Sequence, residues 1–295
     1  MSGVDAGIVR CRLLPTRTRS SPAPDPPSQQ PGRCGNSLAF HGRHRGAWCP
    51  HGIWRTHSGD PVNVLLSGIV GSTAYGLAHE GSDIDRLGVF AAPTHAFHGL
   101  HRPPESHVTT VPDSTLHEAA KWCRLALGGN PTVMELVWLP EDLYEMRTAF
   151  GDELIGLRRS LLGRGRVRNA YFGYATQQFR KLQSRRSGAS SPEVRGRMEK
   201  HARHLIRLLE QGQELHSTGE LTIRLPDPER VRDLGAWIAD RPERAEDFLS
   251  RAEHLFDQPG VLPEQPDERP AQDWLLRVRA AYYTPEPVGE AVRSA

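Results

Sequence analysis

The pattern of apolar and polar positions changes character twice along the chain. Residues 1–60 show no periodic apolar pattern and contain seven prolines and eight arginines. Such a segment buries too little apolar surface to offset its ordering entropy. We predict that it is disordered, or that it is an extension created by an over-long gene assignment, because the apolar run that starts at residue 62 is typical of a domain start. A disordered tail is also expected over 286–295.

Between residues 62 and 140, strand patterns alternate with helix patterns. The continuous apolar run VNVLLSGIV predicts a buried strand that stops at a Gly-Ser pair. STAYGLAHE predicts a short helix, DIDRLGVFAA a second strand, and a His-rich loop follows Pro93. Residues 113–116 predict a short strand that leads into a helix, and Pro131 suits the first turn of another helix. The pattern indicates an α/β unit over 62–140.

Beyond residue 140 the apolar spacing becomes helical. Six segments have this spacing, with proline and glycine breaks between them. They predict an all-helical region over 141–285. The segments are 141–161, 166–184, 192–217, 228–240, 242–257 and 271–283.

Composition and charge narrow the class of protein and suggest an anionic partner. The 295 residues are 37% hydrophobic and 24% charged, and no apolar run approaches the ~18 residues that span a bilayer. The start of the chain lacks the apolar core of a signal peptide, and four cysteines do not form a disulfide framework in a chain this long. We expect a cytoplasmic protein that does not bind membranes. Residues 158–207 hold fourteen Lys/Arg against two Glu, which predicts an anionic partner for this segment.

Two aspartates that follow the Gly-Ser pair are the main chemical signal. Residues i and i+2 of a strand share a face, so we predict that Asp83 and Asp85 project together while Ile84 enters the core. Two carboxylates this close repel each other unless a cation lies between them, and Mg²⁺ takes one or two carboxylates together with substrate phosphates. Gly71 lets a phosphate approach the backbone, and the Ser72 hydroxyl and nearby amides donate to it. The combination favours phosphoryl or nucleotidyl transfer.

The Gly-Ser pair, ten further residues and then Asp-Ile-Asp resemble the active-site signature of the DNA polymerase β-like nucleotidyltransferase superfamily. GSTAYGLAHEGSDIDRLGVF, LALGGNPTVMELVW and KHARHLIRLL with STGELTIRLP resemble its RNA-repair-pathway polymerase β branch (RlaP-like), over roughly residues 62–225. The resemblance implies an α/β (α+β) nucleotidyltransferase domain with a small mixed sheet, followed by the helical region. It also implies two strand carboxylates that bind Mg²⁺ or Mn²⁺, a triphosphate-binding Gly-Ser turn, and a third carboxylate on a later strand.

Two points remain about the strands of the site: which residue is the third carboxylate, and where the chain departs from the family pattern. Asp113 is our choice for the third carboxylate because it begins the next plausible strand, and Glu105 and Glu118 are the alternatives. The position after the second aspartate is usually apolar in the superfamily, whereas this chain has Arg86. This departure is expected to turn Arg86 to the opposite face of the strand or to twist the strand locally.

The segment 192–217 predicts a strongly amphipathic helix. Its polar face carries Lys200, Arg203, His204, Arg207 and Gln211, and its apolar face carries Met198, Ala202, Leu205 and Leu209. Two interpretations have equal weight: a solvated face, or a face that closes over the cleft with Lys200, Arg203 and Arg207 on phosphates. Near the Pro131 helix, Glu135 is expected to serve capping and packing at least as much as the site.

Together these features predict a Mg²⁺-dependent nucleotidyltransferase that moves a nucleoside monophosphate from an NTP, expected to be ATP, to an acceptor hydroxyl. Asp83, Asp85 and Asp113 would hold the metal, and the acceptor would be an RNA end. Two alternatives stay open. The acceptor could be a protein side chain, as in antitoxin-type relatives, or the fold could be an inactive nucleotide- or RNA-binding module.

Overall fold

The computed structural model describes residues 53–55, 61–184 and 191–283. The predicted tail at 286–295 and most of the predicted extension lie outside these residues. Within the extension, however, Ile53–Arg55 forms a strand, so the fold takes in three residues that the sequence pattern assigned to a disordered segment.

A mixed sheet of six strands forms the first part of the fold, which confirms the predicted fold class. The strands are β1 (Ile53–Arg55), β2 (Pro61–Val70), β3 (Asp85–Ala91), β4 (Ser106–Thr110), β5 (Asp113–Glu118) and β6 (Tyr144–Arg147). The long strand β2 runs antiparallel to β3 on one side and to the short β1 and β6 on the other. β3 is parallel to β5, and β4 is antiparallel to β5 at the edge. The parallel β3–β5 pair therefore lies inside the sheet.

Helices surround the sheet and make up most of the later chain. They are α1 (Gly71–Tyr75), α2 (Ala119–Leu127), α3 (Pro131–Glu135), α4 (Ala149–Gly156), α5 (Arg164–Ser184), α6 (Pro192–Thr218), α7 (Pro228–Asp240), α8 (Ala245–Phe256) and α9 (Glu268–Ala281). Local chemistry sets the ends of α6: the Ser191 side chain accepts a hydrogen bond from the Val194 N–H, and Gly219 ends the helix with φ of 73°. A helical C-terminal region, as predicted, is confirmed, and it begins with α4.

Two strands lie where the sequence pattern predicted other structure. β6 falls inside the segment 141–161, which was predicted to be a helix, and only α4 is helical there beyond a single turn at Glu141–Leu143. β4 falls inside the predicted His-rich loop. β6 forms because the distant strand β2 satisfies its backbone groups, and the local pattern does not contain that partner. β4 pairs instead with β5, which follows it in the chain after only Val111 and Pro112.

The main hydrophobic core runs from the sheet into the helices without a break. It joins Leu65 of β2 and Trp122 of α2 to Tyr171 of α5, Leu205 of α6 and Trp274 of α9, all fully buried. A smaller cluster lies on the other face of the sheet and includes Phe90 and Leu116. β3 is apolar on both faces because its alternate residues enter the two clusters: Leu87 and Val89 enter the main core, and Phe90 enters the smaller cluster. No helix in the described part of the chain is long and apolar enough to cross a membrane.

Candidate active site

A cavity of about 460 Å³ lies between the sheet and α6, next to the end of β2. It brings together seven of the eight site residues that the sequence predicts. The sheet side contributes Gly71, Ser72, Asp85 and Asp113, and α6 contributes Lys200, Arg203 and Arg207. Asp83 does not line the cavity. The amphipathic helix thus faces the cleft, as one of the two interpretations of its polar face predicted.

Gly71 forms the turn at the end of β2 and lies against Asp85. Val70, the last residue of β2, pairs with Asp85, the first residue of β3. Gly71 has φ of 68°, and a Cβ at this position would overlap the Asp85 carboxylate and lie 3.1 Å from its Cγ. The turn therefore requires glycine twice over: for its backbone conformation, and for the close approach of the carboxylate.

The two aspartates of the Asp-Ile-Asp motif do not share a strand face. β3 begins only at Asp85, and Asp83 is an exposed residue before the strand. Ile84, which was predicted to enter the core, is 45% exposed. The prediction was wrong on this point because the alternation of faces applies only where the backbone is paired as a strand.

Asp113 occupies the position next to Asp85 on the neighbouring strand. β3 and β5 are parallel with Arg86 opposite Ser114 and Leu87 opposite Thr115. The residues before these pairs are Asp85 and Asp113, and both line the cavity. The parallel pairing therefore supplies a second cavity carboxylate from a distant part of the sequence.

The other two candidates for the third carboxylate lie elsewhere. Glu118 is 2% exposed, forms an ion pair with Arg279 at 2.6 Å, and caps α2 by accepting from the Ala120 N–H. Glu105 is exposed and pairs with Arg124. Of the three candidates, Asp113 alone lines the cavity.

The electrostatics of the carboxylates suit a bound cation. Burial raises the pKa of Asp85, the Asp113 carboxylate raises it further, Lys200 opposes the rise, and Asp83 adds to it. The described residues contain no group of three or more His, Cys, Asp or Glu side chains gathered for one metal ion. Mg²⁺ in phosphate sites needs only one or two carboxylates, since phosphates and water complete its shell. Asp85 with Asp113 fits that requirement.

Arg86 also lines the cavity, but its guanidinium is paired with a carboxylate outside the Asp85–Asp113 pair. Its Nε donates to both carboxylate oxygens of Glu145 on β6, at 3.0 and 3.1 Å, and both side chains are 18% exposed. Consecutive residues of a strand face opposite sides of the sheet. Arg86, which stands where the family usually has an apolar residue, is therefore neutralised by Glu145 on the far side of β2. The sequence departure is therefore compatible with the cavity.

Lys200 and Arg203 line the cavity from α6 and remain available to a ligand there. Lys200 is exposed and Arg203 is half-buried. The stem of Arg203 lies so close to Gly235 of α7 that a Cβ there would overlap it. Burial lowers the pKa of Arg203, and Glu199 counteracts this. The opposite face of α6 is buried as predicted, through Met198, Ala202, Leu205 and Leu209.

Arg207 differs from these two because the protein itself neutralises it. Its side chain is 2% exposed, and its Nη1 donates to Glu135 Oε1 at 3.1 Å and to Gln211 Oε1 at 2.5 Å. Its guanidinium carbon lies 4.0 Å from the centre of the Tyr75 ring, and the Tyr75 hydroxyl donates to the same Glu135 oxygen. We call Tyr75, Glu135, Arg207 and Gln211 the Arg207 group. Arg207 lines the cavity and its charge is paired with Glu135, so its role as a phosphate ligand stays a prediction.

The Arg207 group also contacts the Gly-Ser turn. Burial raises the pKa of Glu135, while Arg207, the Tyr75 hydroxyl and the backbone amide of Gly71 lower it. The group therefore joins α1, α3 and α6 under the cavity. Neither Tyr75 nor this role of Glu135 was predicted, since the partners are 60 and 72 residues apart in the chain.

Further cavity residues were also outside the sequence prediction. Thr115 and His117 share the Asp113 face of β5 and line the cavity, whereas His204, which also lines it, belongs to the predicted polar face of α6. The alternation of β5 residues was the available signal for Thr115 and His117, because they stand two and four residues after Asp113.

The sequence comparison decides the family. The model of RlaP, described as the RNA repair pathway DNA polymerase beta family, matches residues 53–251. The chain belongs to this family. It is therefore a nucleotidyltransferase-like protein of the polymerase β type, as the Gly-Ser and Asp-Ile-Asp signature indicated. The matched range includes β1 and extends through α6 and α7 into α8.

The other comparisons add little. None of the curated proteins matches the sequence. Among solved structures, a nucleotidyltransferase-like protein from Exiguobacterium sibiricum 255-15 is similar to this chain at 12% identity, over 77% of each chain, with a TM-score of 0.26. The family assignment rests on the matched sequence model.

Proposed function

We propose that the protein is a Mg²⁺-dependent nucleotidyltransferase that transfers a nucleoside monophosphate from an NTP to an acceptor hydroxyl. The observation that carries the proposal is the single cavity that joins Asp85 and Asp113 to the Gly71–Ser72 turn and to the cationic side chains of α6. Carboxylates for a cation and cations for phosphates are both needed for this chemistry. Family membership supports the reaction class.

In the proposed reaction, the acceptor hydroxyl oxygen bonds to the α-phosphorus while the bond from that phosphorus to the α,β-bridging oxygen breaks. Pyrophosphate leaves, and the hydroxyl proton passes to the Asp113 carboxylate. Gly71 and Ser72 hold the β- and γ-phosphates, and Lys200 and Arg203 neutralise their charge. A Mg²⁺ ion held by Asp85 and Asp113 would supply charge neutralisation at the transferring phosphate. Mn²⁺ meets the same ligand requirements.

Asp83 has a secondary place in this proposal. It is exposed and outside the cavity lining, yet its negative charge raises the pKa of Asp85. We propose that it adds negative potential for the cation or contacts it through water. Its removal should therefore matter less than the removal of Asp85.

We propose ATP as the donor and an RNA end as the acceptor, in the cytoplasm, where both are found. The RNA repair description of the family and the basic segment 158–207 support an RNA acceptor. A protein acceptor, as in antitoxin-type relatives, uses the same donor site and is separated from RNA by the assay below.

The test is label transfer by the purified full chain with Mg²⁺ and each α-labelled NTP, with and without tRNA or nicked RNA. We expect label on the acceptor and release of pyrophosphate. Asp85→Asn should lower transfer about 10³-fold, equivalent to ~4 kcal/mol, whereas Asp273→Asn, the same change at an exposed residue of α9, should leave it unchanged. Transfer that persists in Asp85→Asn would contradict the metal assignment.

A second function, a nucleotide-binding module without turnover, is favoured by one observation. The first aspartate of the signature, Asp83, is exposed and does not line the cavity with Asp85 and Asp113. ATP binding by the full chain without transfer to RNA or to protein under any of these conditions would establish this second function.

A further inference from the structure

His204 is the neutral member of the α6 face that lines the cavity. It stands between Arg203 and Arg207 along the helix and is half-buried. Burial lowers its pKa to about 3, and the positive charges of Arg207, His201, Lys181 and Lys200 contribute in that order. An imidazolium at this place would have to lose its hydration beside several cations. The ring is therefore uncharged at neutral pH.

Arg207 fixes which ring nitrogen of His204 carries the proton. Arg207 Nη2 lies 3.3 Å from His204 Nδ1. A guanidinium has only donors, so Nδ1 must accept this hydrogen bond, and the proton of the neutral ring must be on Nε2. The tautomer is thus set by the chemistry of the partner.

The donor is itself held in place. Glu135 and Gln211 fix one end of the Arg207 guanidinium at 3.1 and 2.5 Å, and the Tyr75 ring lies against its flat face. The Gln211 side chain is anchored in turn, because its Nε2 donates to the Thr222 carbonyl at 3.1 Å. The Arg207 group therefore determines the orientation of a ring that it only touches at one edge.

A neutral N–H donor serves a different part of a nucleotide from the lysine and arginine beside it. Phosphate oxygens are bound best by charge-assisted hydrogen bonds, which Lys200 and Arg203 supply. Sugar hydroxyls and base nitrogen or oxygen atoms are uncharged acceptors, and a neutral donor binds them without the cost of desolvating a cation. We propose that His204, as its Nε2–H tautomer, binds the nucleoside part of the donor nucleotide, at the sugar or the base, and distinguishes a nucleotide from a bare polyphosphate.

This inference rests on the proposed function, so its test separates the two. Binding of ATP and of inorganic tripolyphosphate to the full chain is measured by calorimetry with Mg²⁺. His204→Phe keeps the ring and removes the donor, whereas Lys200→Ala removes a cation from the same face. We expect His204→Phe to weaken ATP binding about 10-fold, the effect of one lost hydrogen bond, and to leave tripolyphosphate binding unchanged. Lys200→Ala should weaken both.

Each other outcome has a definite meaning. Equal weakening of both ligands by His204→Phe, or weakening of neither, overturns the proposal. If the unaltered protein binds tripolyphosphate but not ATP, the phosphate site stands and the His204 proposal fails. If it binds neither ligand, the proposed function fails, and this inference fails with it.

An independent measurement examines the ring itself and needs no ligand. In ¹⁵N-labelled full-length protein at neutral pH, the nitrogen shifts of His204 should show a protonated Nε2 and an unprotonated Nδ1. A charged ring, or the tautomer protonated at Nδ1, would overturn the proposal even if the protein is active.

Discussion

Two carboxylates in the wall of one cavity, Asp85 and Glu135, have opposite electrostatic situations. Glu135 is 2% exposed and has its cation within the chain, since Arg207 lies 3.1 Å away and Tyr75 donates to the same oxygen. Asp85 is half-exposed, and two further carboxylates raise its pKa along with burial. Glu135 is neutralised by an ion pair within the chain, whereas Lys200 only partly offsets the rise in the pKa of Asp85.

The difference distinguishes a carboxylate that is paired within the chain from one that we propose binds a cation. A buried charge that is paired and hydrogen-bonded stabilises one arrangement of the chain and becomes costly only when its partner is removed. A cluster of like charges costs stability in the free protein and is kept where a ligand will offset it. Three changes test this distinction, in order of decreasing effect.

Arg207→Met should have the largest effect on folding. It leaves Glu135 buried without its counter-charge, and we expect a loss of about 3–5 kcal/mol in the free energy of unfolding, measured by urea denaturation. Lys200, the exposed cation on the same helix face, serves as the control. Lys200→Met should change the free energy of unfolding by less than about 0.5 kcal/mol.

The double variant Arg207→Met/Glu135→Gln shows whether the lost pairing is the cause. It removes both charges and keeps an acceptor for the Tyr75 hydroxyl, so a large part of the stability should return. If the double variant is as unstable as Arg207→Met alone, Glu135 is not the structural carboxylate of the comparison.

Gly71→Ala should have an intermediate effect and act through Asp85. Gly71 and Gly81 both have positive φ, 68° and 85°, but a Cβ would overlap Asp85 at the first and meets nothing within 4 Å at the second. We expect Gly81→Ala to cost about 1 kcal/mol of backbone strain, and Gly71→Ala roughly 2–3 kcal/mol because the clash is added. The free energy of unfolding of each variant is measured by thermal and urea denaturation. If Gly71→Ala and Gly81→Ala lose the same amount, the contact with Asp85 contributes nothing to stability.

Asp85→Asn should have the smallest effect on folding, and of the opposite sign. The folded state raises the pKa of Asp85, so the ionised carboxylate costs stability at neutral pH, and the cost disappears in the neutral amide. Solvent screening keeps the gain below about 1 kcal/mol, or roughly 2 °C in Tm, by calorimetry without Mg²⁺. A fall in Tm would place Asp85 among the structural carboxylates.

The sequence pattern predicted the parts of the site that are close together in the chain. Gly71, Ser72 and Asp85 depend on one strand, one turn and the start of the next strand, so their spacing carries the signal. Asp113 was also predicted, because it opens a strand whose parallel pairing with β3 then places it beside Asp85. The face of α6 followed from helical periodicity.

Long-range pairing explains what could not be predicted. Arg203 and Arg207 have the same charge and adjacent places on one helix face, yet only Arg207 meets a buried glutamate from another element. Likewise, Asp83 and Ile84 fit a strand pattern but precede the first paired residue of β3. In both cases the deciding fact is a partner that the local pattern does not contain.

The Arg207 group has a consequence for the order in which the protein is made. Tyr75 and Glu135 emerge from the ribosome well before Arg207, and until α6 follows them the glutamate has no counter-charge to be buried with. Synthesis must therefore pass α6 before Glu135 gains the counter-charge with which it is buried.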